Sequence, residues 1–280
     1  MKEVPVNLIV DLTAKLCIEA NYYLNDDIKK ALTDSLEREE SPVGKSTLAT
    51  MLENVDIARN EQMPICQDTG MTVVFCEIGM DVHITDGDLT AAINEGVRKG
   101  YEKGYLRKSV VKDPINRINS GDNTPAVIHY SIVQGEAVKI TVAPKGFGSE
   151  NMSALTMLTP ADGIEGVKKF IVNTVSNGGG NPCPPIIVGV GVGGTMEKCA
   201  LLAKQALLRP LGSVHPDPYW QGIEAELLTA INNLGIGPAG FGGITTALGV
   251  HIETFGTHIA GLPVAVNIGC HVTRHAEGTL

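Results

Sequence analysis

The chain is poor in the side chains that grip polyanions. Aromatic residues make up only 4% of it, and its 22 Lys and Arg are outnumbered by 31 Asp and Glu, for a net charge of −9. Such a surface repels phosphate backbones and anionic headgroups and offers few rings for base stacking, which argues against nucleic-acid and membrane partners. No apolar run reaches the roughly 20 residues that a membrane-spanning helix requires. The opening MKEVPVNLIVDLTAKL has its apolar run cut by Asp11, and no small-residue cleavage site follows, so no signal peptide is expected and a cytoplasmic location is. Six cysteines in 280 residues fall far short of a disulfide scaffold, which leaves thiols or metal ligands as the expectation.

What the chain does have is 43% hydrophobic residues, enough for a large core, and 32 glycines, which mark turns and close backbone approaches. Residues 1–62 read as helical: Leu8, Leu12, Leu16 and Cys17 recur at helical spacing, DDIKKALTDSLEREE forms a second helix with Asn25 as its cap, and a third follows Gly44. Beyond residue 70, MTVVFCEIG reads as a buried strand, and the helix starting in DGDLTAAINEG takes Asp86 or Asp88 as its cap. AVIHYSIVQ and AVKITVAPKG, separated by Gly135-Glu136, read as two antiparallel strands. A helix over 160–176, the strand PIIVGVGVG, the helix TMEKCALLAKQALL, a helix around EAELLTAINNL and the strands GITTALGVHIE and LPVAVNIG complete the pattern. The fold class expected is mixed α/β: a helical N-terminal region, then interleaved helices and a largely antiparallel sheet, in a single domain over 1–280.

Two nucleotide-binding signatures are decoys. GVGVGG fits G-x-G-x-x-G through Gly189, Gly191 and Gly194, after a strand and before a helix. The second parallel strand ending in an acid is missing, because the helix runs into the Pro-rich RPLGSVHPDPYW. GKST at 44–47 resembles the end of a phosphate-binding loop, but Glu39 stands where that loop needs glycine, so this segment reads as a helix start.

The cysteines divide by context. Cys17, Cys76 and Cys199 lie within regular elements among apolar neighbours and read as buried small hydrophobes. Cys66 in PICQDTG, Cys183 in NPCPP and Cys270 in NIGCHVTRH sit beside turn formers or at element ends. Their positions match no zinc-finger spacing, and spacing alone assigns no metal. Three loop thiolates suit an iron–sulfur cluster with one iron left open, and such an iron is a Lewis acid for a hydroxyl and a carboxylate.

PICQDTG, NSGDNTPA (119–126), KGFGSEN (145–151), GGGNPCPP and NIGCHVTRHAEGTL, in this order, resemble the class I (iron–sulfur) fumarate hydratases and the related L-tartrate dehydratases. The match runs from about residue 40 onward, to the catalytic part of the one-chain enzymes or to the α subunit of the two-chain form. The resemblance implies a [4Fe–4S] cluster held by Cys66, Cys183 and Cys270 with its fourth iron open to substrate. It implies reversible hydration of fumarate to (S)-malate, a tricarboxylic acid cycle step, by an oxygen-sensitive lyase. By the same resemblance Gln67 and Asp68 line the substrate pocket, Arg107 binds a carboxylate, backbone at Gly148 approaches substrate, and His258 touches it across a subunit interface. Asp68 is the expected acid or proton relay, and Arg suits a carboxylate bidentately. Asp122 and Asn123 are expected to fix a tight loop near the site. His271, Arg274 and His275 have two readings, cluster support or solvated tail.

The leading expectation is therefore the α subunit of a two-subunit iron–sulfur fumarase, with L-tartrate dehydratase as the alternative on the same chemistry. An electron-transfer or redox-sensing protein would want a fourth cysteine on a loop, and the remaining three look buried. No second Arg or Lys for a dianionic substrate and no separate base can be placed. A β subunit is expected to supply them, in a hetero-oligomer with two copies of each chain.

Overall fold

The computed structural model describes residues 1–280. In chain order the elements are β1 (Lys2–Pro5), α1 (Val6–Tyr22), α2 (Asp26–Arg38), α3 (Pro42–Glu61), β2 (Met71–Gly79), β3 (Val82–Thr85), α4 (Leu89–Lys103), β4 (Val127–Val133), β5 (Val138–Lys145) and α5 (Phe147–Glu150). They continue with β6 (Ala154–Leu158), α6 (Gly163–Gly178), β7 (Ile186–Gly193), α7 (Met196–Ala206), α8 (Pro218–Asn232), β8 (Ala247–Phe255), β9 (Leu262–Gly269) and β10 (Ala276–Thr279). Internal contacts group them into two units, one of 1–25, 54–147 and 274–280, the other of 26–53 and 148–273.

The first unit has a four-stranded sheet in the order β10-β5-β2-β4, antiparallel except for the parallel β2–β4 pair, and a small parallel β1–β3 pair. The two strands read as antiparallel, β4 and β5, do run antiparallel, with β2 lying between them. The reason is in the sequence of β2: MTVVFCEIG is apolar on both faces, as a central strand is, so it takes the middle position. Helices α1 and α4 join the sheet in one core with Ile9, Leu16, Cys17, Ile93, Val97, Tyr101 and Ile140. A side-chain carbon on Gly100 would meet Cys17 Cβ and the Ala14 carbonyl at 2.8 Å, so glycine sets how closely α4 approaches α1. Asp88 is the cap of α4, its Oδ1 accepting the Ala91 N–H at 2.7 Å. Asn25 does not cap α2: its amide is spent on the backbone of His275, at 3.2 Å in both directions.

The second unit has a four-stranded sheet in the order β6-β9-β7-β8, again antiparallel apart from one parallel pair, β7–β8. Strand β7 explains the dinucleotide-like glycines. Val188, Val190 and Val192 point into the core that holds Ile171 and Val175 of α6 and Leu227 and Ile231 of α8. The alternate face is glycine because α7 lies directly on it: a Cβ on Gly191 would sit 2.0 Å from the Cys199 carbonyl oxygen, and one on Gly189 2.3 Å from that of Ala203. The motif serves strand-to-helix packing. The GKST segment lies in the first turns of α3, which starts at Pro42, with Ser41 Oγ accepting the Gly44 N–H at 3.2 Å. Helix α8 begins earlier than its apolar pattern suggests, at Pro218 behind the Asp217 cap. No helix is long and apolar enough to cross a membrane.

These contacts predict opposite effects for two glycine-to-alanine changes. Gly191→Ala forces α7 from β7 and should cost about 3 kcal/mol or more, the upper end for overpacking. Gly222→Ala, in the interior of α8 with nothing within 4 Å of the new methyl, should stabilise by about 0.5–1 kcal/mol. Urea unfolding of the two variants measures both, and equal midpoints would contradict the packing assigned to β7.

Candidate active site

In the first unit, Cys66 lies on the segment between α3 and β2, partly exposed, with its thiol donating to Gln67 Oε1 at 3.4 Å. The turn after it is held from every side. Asp68 Oδ1 accepts the Gly70 N–H at 3.0 Å and Oδ2 that of Phe147 at 2.9 Å, which joins PICQDTG to the KGFG segment. Glycine is required at 70 (φ +79), where a Cβ would lie 2.7 Å from the Lys145 nitrogen. The Tyr101 hydroxyl donates to the carbonyls of Thr69 (2.7 Å) and Gly70 (3.0 Å), and burial pushes the phenol pKa up. Buried Asn123 donates to Gly70 O at 3.2 Å and accepts the Ser109 N–H at 2.7 Å. Thr69 Oγ1 donates to the Arg107 carbonyl at 2.9 Å, so Arg107 is brought to this turn by its backbone while its guanidinium stands exposed.

Arg274 closes the arrangement. It is 4% exposed, and its guanidinium donates to Asp68 O at 2.9 Å and to Asn21 Oδ1 at 3.0 Å. Asn21 in turn accepts the Ile65 N–H on its carbonyl at 2.9 Å. Arg274 is thus a support of the turn that follows Cys66, not a solvated tail. Beside Asn123, Asp122 braces its loop through Thr124 and Arg98. Burial alone would raise the Asp122 carboxyl, but the hydrogen bonds from Thr124 and Arg98 outweigh it and bring the pKa down to about 2.

In the second unit, Cys183 and Cys270 meet at one end of the sheet, Cys183 just before β7 and Cys270 just after β9, where Ile187 pairs with Gly269. Cys183 is exposed, with φ at +57, a left-handed conformation that a non-glycine side chain adopts only when its surroundings impose it. They do so through its carbonyl, which accepts the His271 N–H at 3.2 Å and the His271 ring at 3.0 Å, placing the ring hydrogen on Nδ1. The Cys270 carbonyl accepts Thr273 N–H and Oγ1–H at 2.9 and 2.8 Å. Gly148 is exposed, and a Cβ there would meet only Asn181 O at 3.7 Å. His258 is not brought to these thiols. It lies in the exposed connection from β8 to β9 at the opposite end of the sheet, a strand length of about 25 Å away at roughly 3.3 Å per residue.

No cysteine is in a disulfide. The three set aside as hydrophobes are buried, and burial drives their thiols up, to about 12 for Cys17 and about 11 for Cys76, with Cys199 shifted the same way. No three His, Cys, Asp or Glu side chains gather tightly enough to share a single metal ion. Sequence reading missed Tyr101 and Asn21, which carry helical patterns like any core residue, and buried Lys145, whose Nζ lies 3.4 Å from Gly146 O. The KGFG motif containing Lys145 was the available signal.

Comparison with known proteins gives these features a common setting. The family model described as fumarate hydratase (Fumerase) matches residues 10–279. A Methanocaldococcus jannaschii protein provisionally named L(+)-tartrate dehydratase subunit alpha is 45% identical over 274 residues, 96% of each chain. The L(+)-tartrate dehydratase subunit alpha proteins of Escherichia coli K12 and Shigella sonnei are each 34% identical over 283 residues, all of this chain and 92% of theirs. These matches define a hydro-lyase. The chain belongs to the fumarate hydratase (Fumerase) family.

The exposure of the thiols predicts their reactivity. In the metal-free folded chain, iodoacetamide at pH 8 should modify Cys66, Cys183 and Cys270 and spare Cys17, Cys76 and Cys199. With a pKa of about 12, Cys17 holds only about 10⁻⁴ of its population as the reactive thiolate at that pH, and it is also shut off from reagent. Peptide mass spectrometry reads the pattern, and rapid labelling of Cys17 in the folded chain would contradict the packing of α1 against α4.

Proposed function

We propose that this chain is the α subunit of an iron–sulfur L-tartrate dehydratase, and that its two units belong to one catalytic domain. The observation that carries the substrate is the naming of relatives at 45% and 34% identity over nearly their whole lengths. Fumarate hydration, the leading expectation from the motifs, is the second reading, favoured by the description of the family model.

Cys66, Cys183 and Cys270 would hold a [4Fe–4S] cluster. The donor set fits: three thiols accessible on loops, the other three cysteines buried with raised pKa values. A cubane takes one cysteine per iron, so its ligands need not converge on a single ion. With no fourth accessible cysteine, the set favours an open iron over the fully ligated cluster of a redox protein. Such a cluster supplies a Lewis acid for the departing hydroxyl.

The protein groups supply the rest. Arg107, exposed beside the Cys66 turn, would clamp a substrate carboxylate through its planar fork. Gln67, in contact with the Cys66 thiol, would orient a hydroxyl. Asp68 has one backbone N–H on each oxygen and keeps a second lone pair on each, so it can hold the 146–147 segment and still take part in proton transfer at the leaving hydroxyl. Backbone at Gly148 is open enough for a ligand to approach. His258 stands so far from Cys183 and Cys270 that its part in substrate binding would be played in the site of a second copy of the chain. Arg274 is committed to Asp68 and Asn21, so the second carboxylate and the base at C3 call for a β subunit, in an assembly with two copies of each.

The test is an anaerobic assay of the cluster-loaded chain, with and without its β subunit, on L-tartrate and on fumarate. Loss of water from tartrate gives the enol of oxaloacetate. The expected result is turnover only with both subunits, and a kcat/KM at least tenfold higher for L-tartrate, equivalent to about 1.4 kcal/mol of transition-state binding. A preference for fumarate would establish the second reading, and full activity of the α subunit alone would overturn the division of the site.

A further inference from the structure

Glu39 lies just beyond α2, outside all the motifs, and is 1% exposed. A buried carboxylate needs a cation or a full set of donors. Here the donors are four backbone amides. Oε1 accepts from Glu40 and Ser41 at 3.0 Å each and from Ile244 at 3.2 Å, and Oε2 accepts from Ile244 at 3.1 Å and Thr245 at 3.3 Å. Two glycines make room for it: a Cβ on Gly44 would come within 2.9 Å of the carboxyl carbon, and one on Gly243 (φ +129) within 2.8 Å of both oxygens.

The segment it holds, 235–246, is tied at its base by Thr246, whose N–H donates to Asn232 Oδ1 at 2.8 Å and whose Oγ1 accepts the Gly237 N–H at 3.2 Å, and within itself by the Gly242 N–H donating to Ile236 O at 2.8 Å. Gly235, Gly237, Gly240, Gly242 and Gly243 all have positive φ, as does Ala239, and Phe241 and Ile244 are exposed. Its middle is pressed against the turn that carries Cys183. The Ala239 N–H donates to Pro184 O at 2.7 Å, and a Cβ on Gly240 would lie 2.7 Å from Gly180 Cα. Gly180 O in turn accepts the Cys183 N–H at 3.1 Å. The loop therefore backs both ends of the turn 180–184, and Glu39 fixes the loop.

We infer that Glu39 is a positioning residue for Cys183: its carboxylate clamps loop 235–246 against the turn 180–184 and so sets where the thiol is presented. The consequence for the cluster rests on the reading of Cys183 as a ligand. Glu39→Gln puts an NH₂ donor among backbone donors and should loosen the loop. Asp27 is the matched control, since it ties the other end of α2 to the Leu211 N–H at 2.7 Å and touches neither loop nor turn.

The experiment loads the wild type, Glu39→Gln and Asp27→Asn anaerobically with iron and sulfide and reads iron release to a chelator. It also follows amide hydrogen exchange of the metal-free chains by mass spectrometry. Glu39→Gln should release iron at least tenfold faster than the wild type and exchange faster at 180–184 as well as at 239–245, and Asp27→Asn should do neither. Wild-type iron release, or faster exchange confined to 243–245, would overturn the inference. A wild type that takes up no cluster would overturn the functional reading instead, and the exchange pattern would still decide the role of Glu39. If Glu39→Gln does not fold, the wild type carries the test: loading should slow exchange at Ile244 and Thr245 together with 180–184, and protection of 180–184 alone would overturn the inference.

Discussion

The first unit is organised around the hydrogen-bonding demand of the turn after Cys66. Thr69 and Gly70 are buried, and a buried carbonyl without a partner costs about 1–3 kcal/mol. The carbonyls of Asp68, Thr69 and Gly70 are all answered, by Arg274, Tyr101 and Asn123. These donors come from remote stretches of the chain, so the turn takes this shape only when α4, the 119–126 loop and the C-terminal segment are all in place. Asp68 adds the N-terminus of α5 to the same point. One polar knot thereby fixes the backbone on either side of Gln67 and brings Arg107 alongside.

The second unit solves a similar problem with glycine in place of side-chain donors. Gly189 and Gly191 let α7 settle on β7 at backbone distance, which leaves the valine face free for the main core. At the start of the same strand, Gly180 against Gly240 and the clamp of Glu39 hold a turn in which Cys183 adopts φ +57. Backbone packed on backbone tolerates no added carbon and stores little freedom. That suits a loop whose task is to present a thiol in one orientation.

Much of this was legible in the chain. Apolar periodicity located the main helices and the buried strands, because those signals are local and strong. The short strands β1, β3, β6 and β10 were not visible, since four or five residues such as AEGT carry no alternation of their own and pair only because neighbours are present. The antiparallel run of β4 and β5 is legible, but the place of β2 between them is not, as strand order is a long-range property that a Gly-Glu turn signal cannot report. The division of the cysteines was read from turn formers and element ends and agrees with their exposure. The supports were hidden: Arg274 had equal claims to cluster support and to a solvated tail, and Glu39 entered only as the residue that spoiled a phosphate-loop motif. Both owe their roles to partners more than 200 residues away.

The central claim is that three cysteines hold a cluster whose fourth iron has no protein ligand. Its most direct measurement is electron paramagnetic resonance and iron analysis of the anaerobically loaded protein during mild oxidation. The account predicts the release of one iron per cluster and the appearance of the three-iron cluster signal, with ferrous iron and reductant restoring the original state. A cluster that keeps all its iron under the same oxidation, or a chain that binds iron without sulfide, would contradict it.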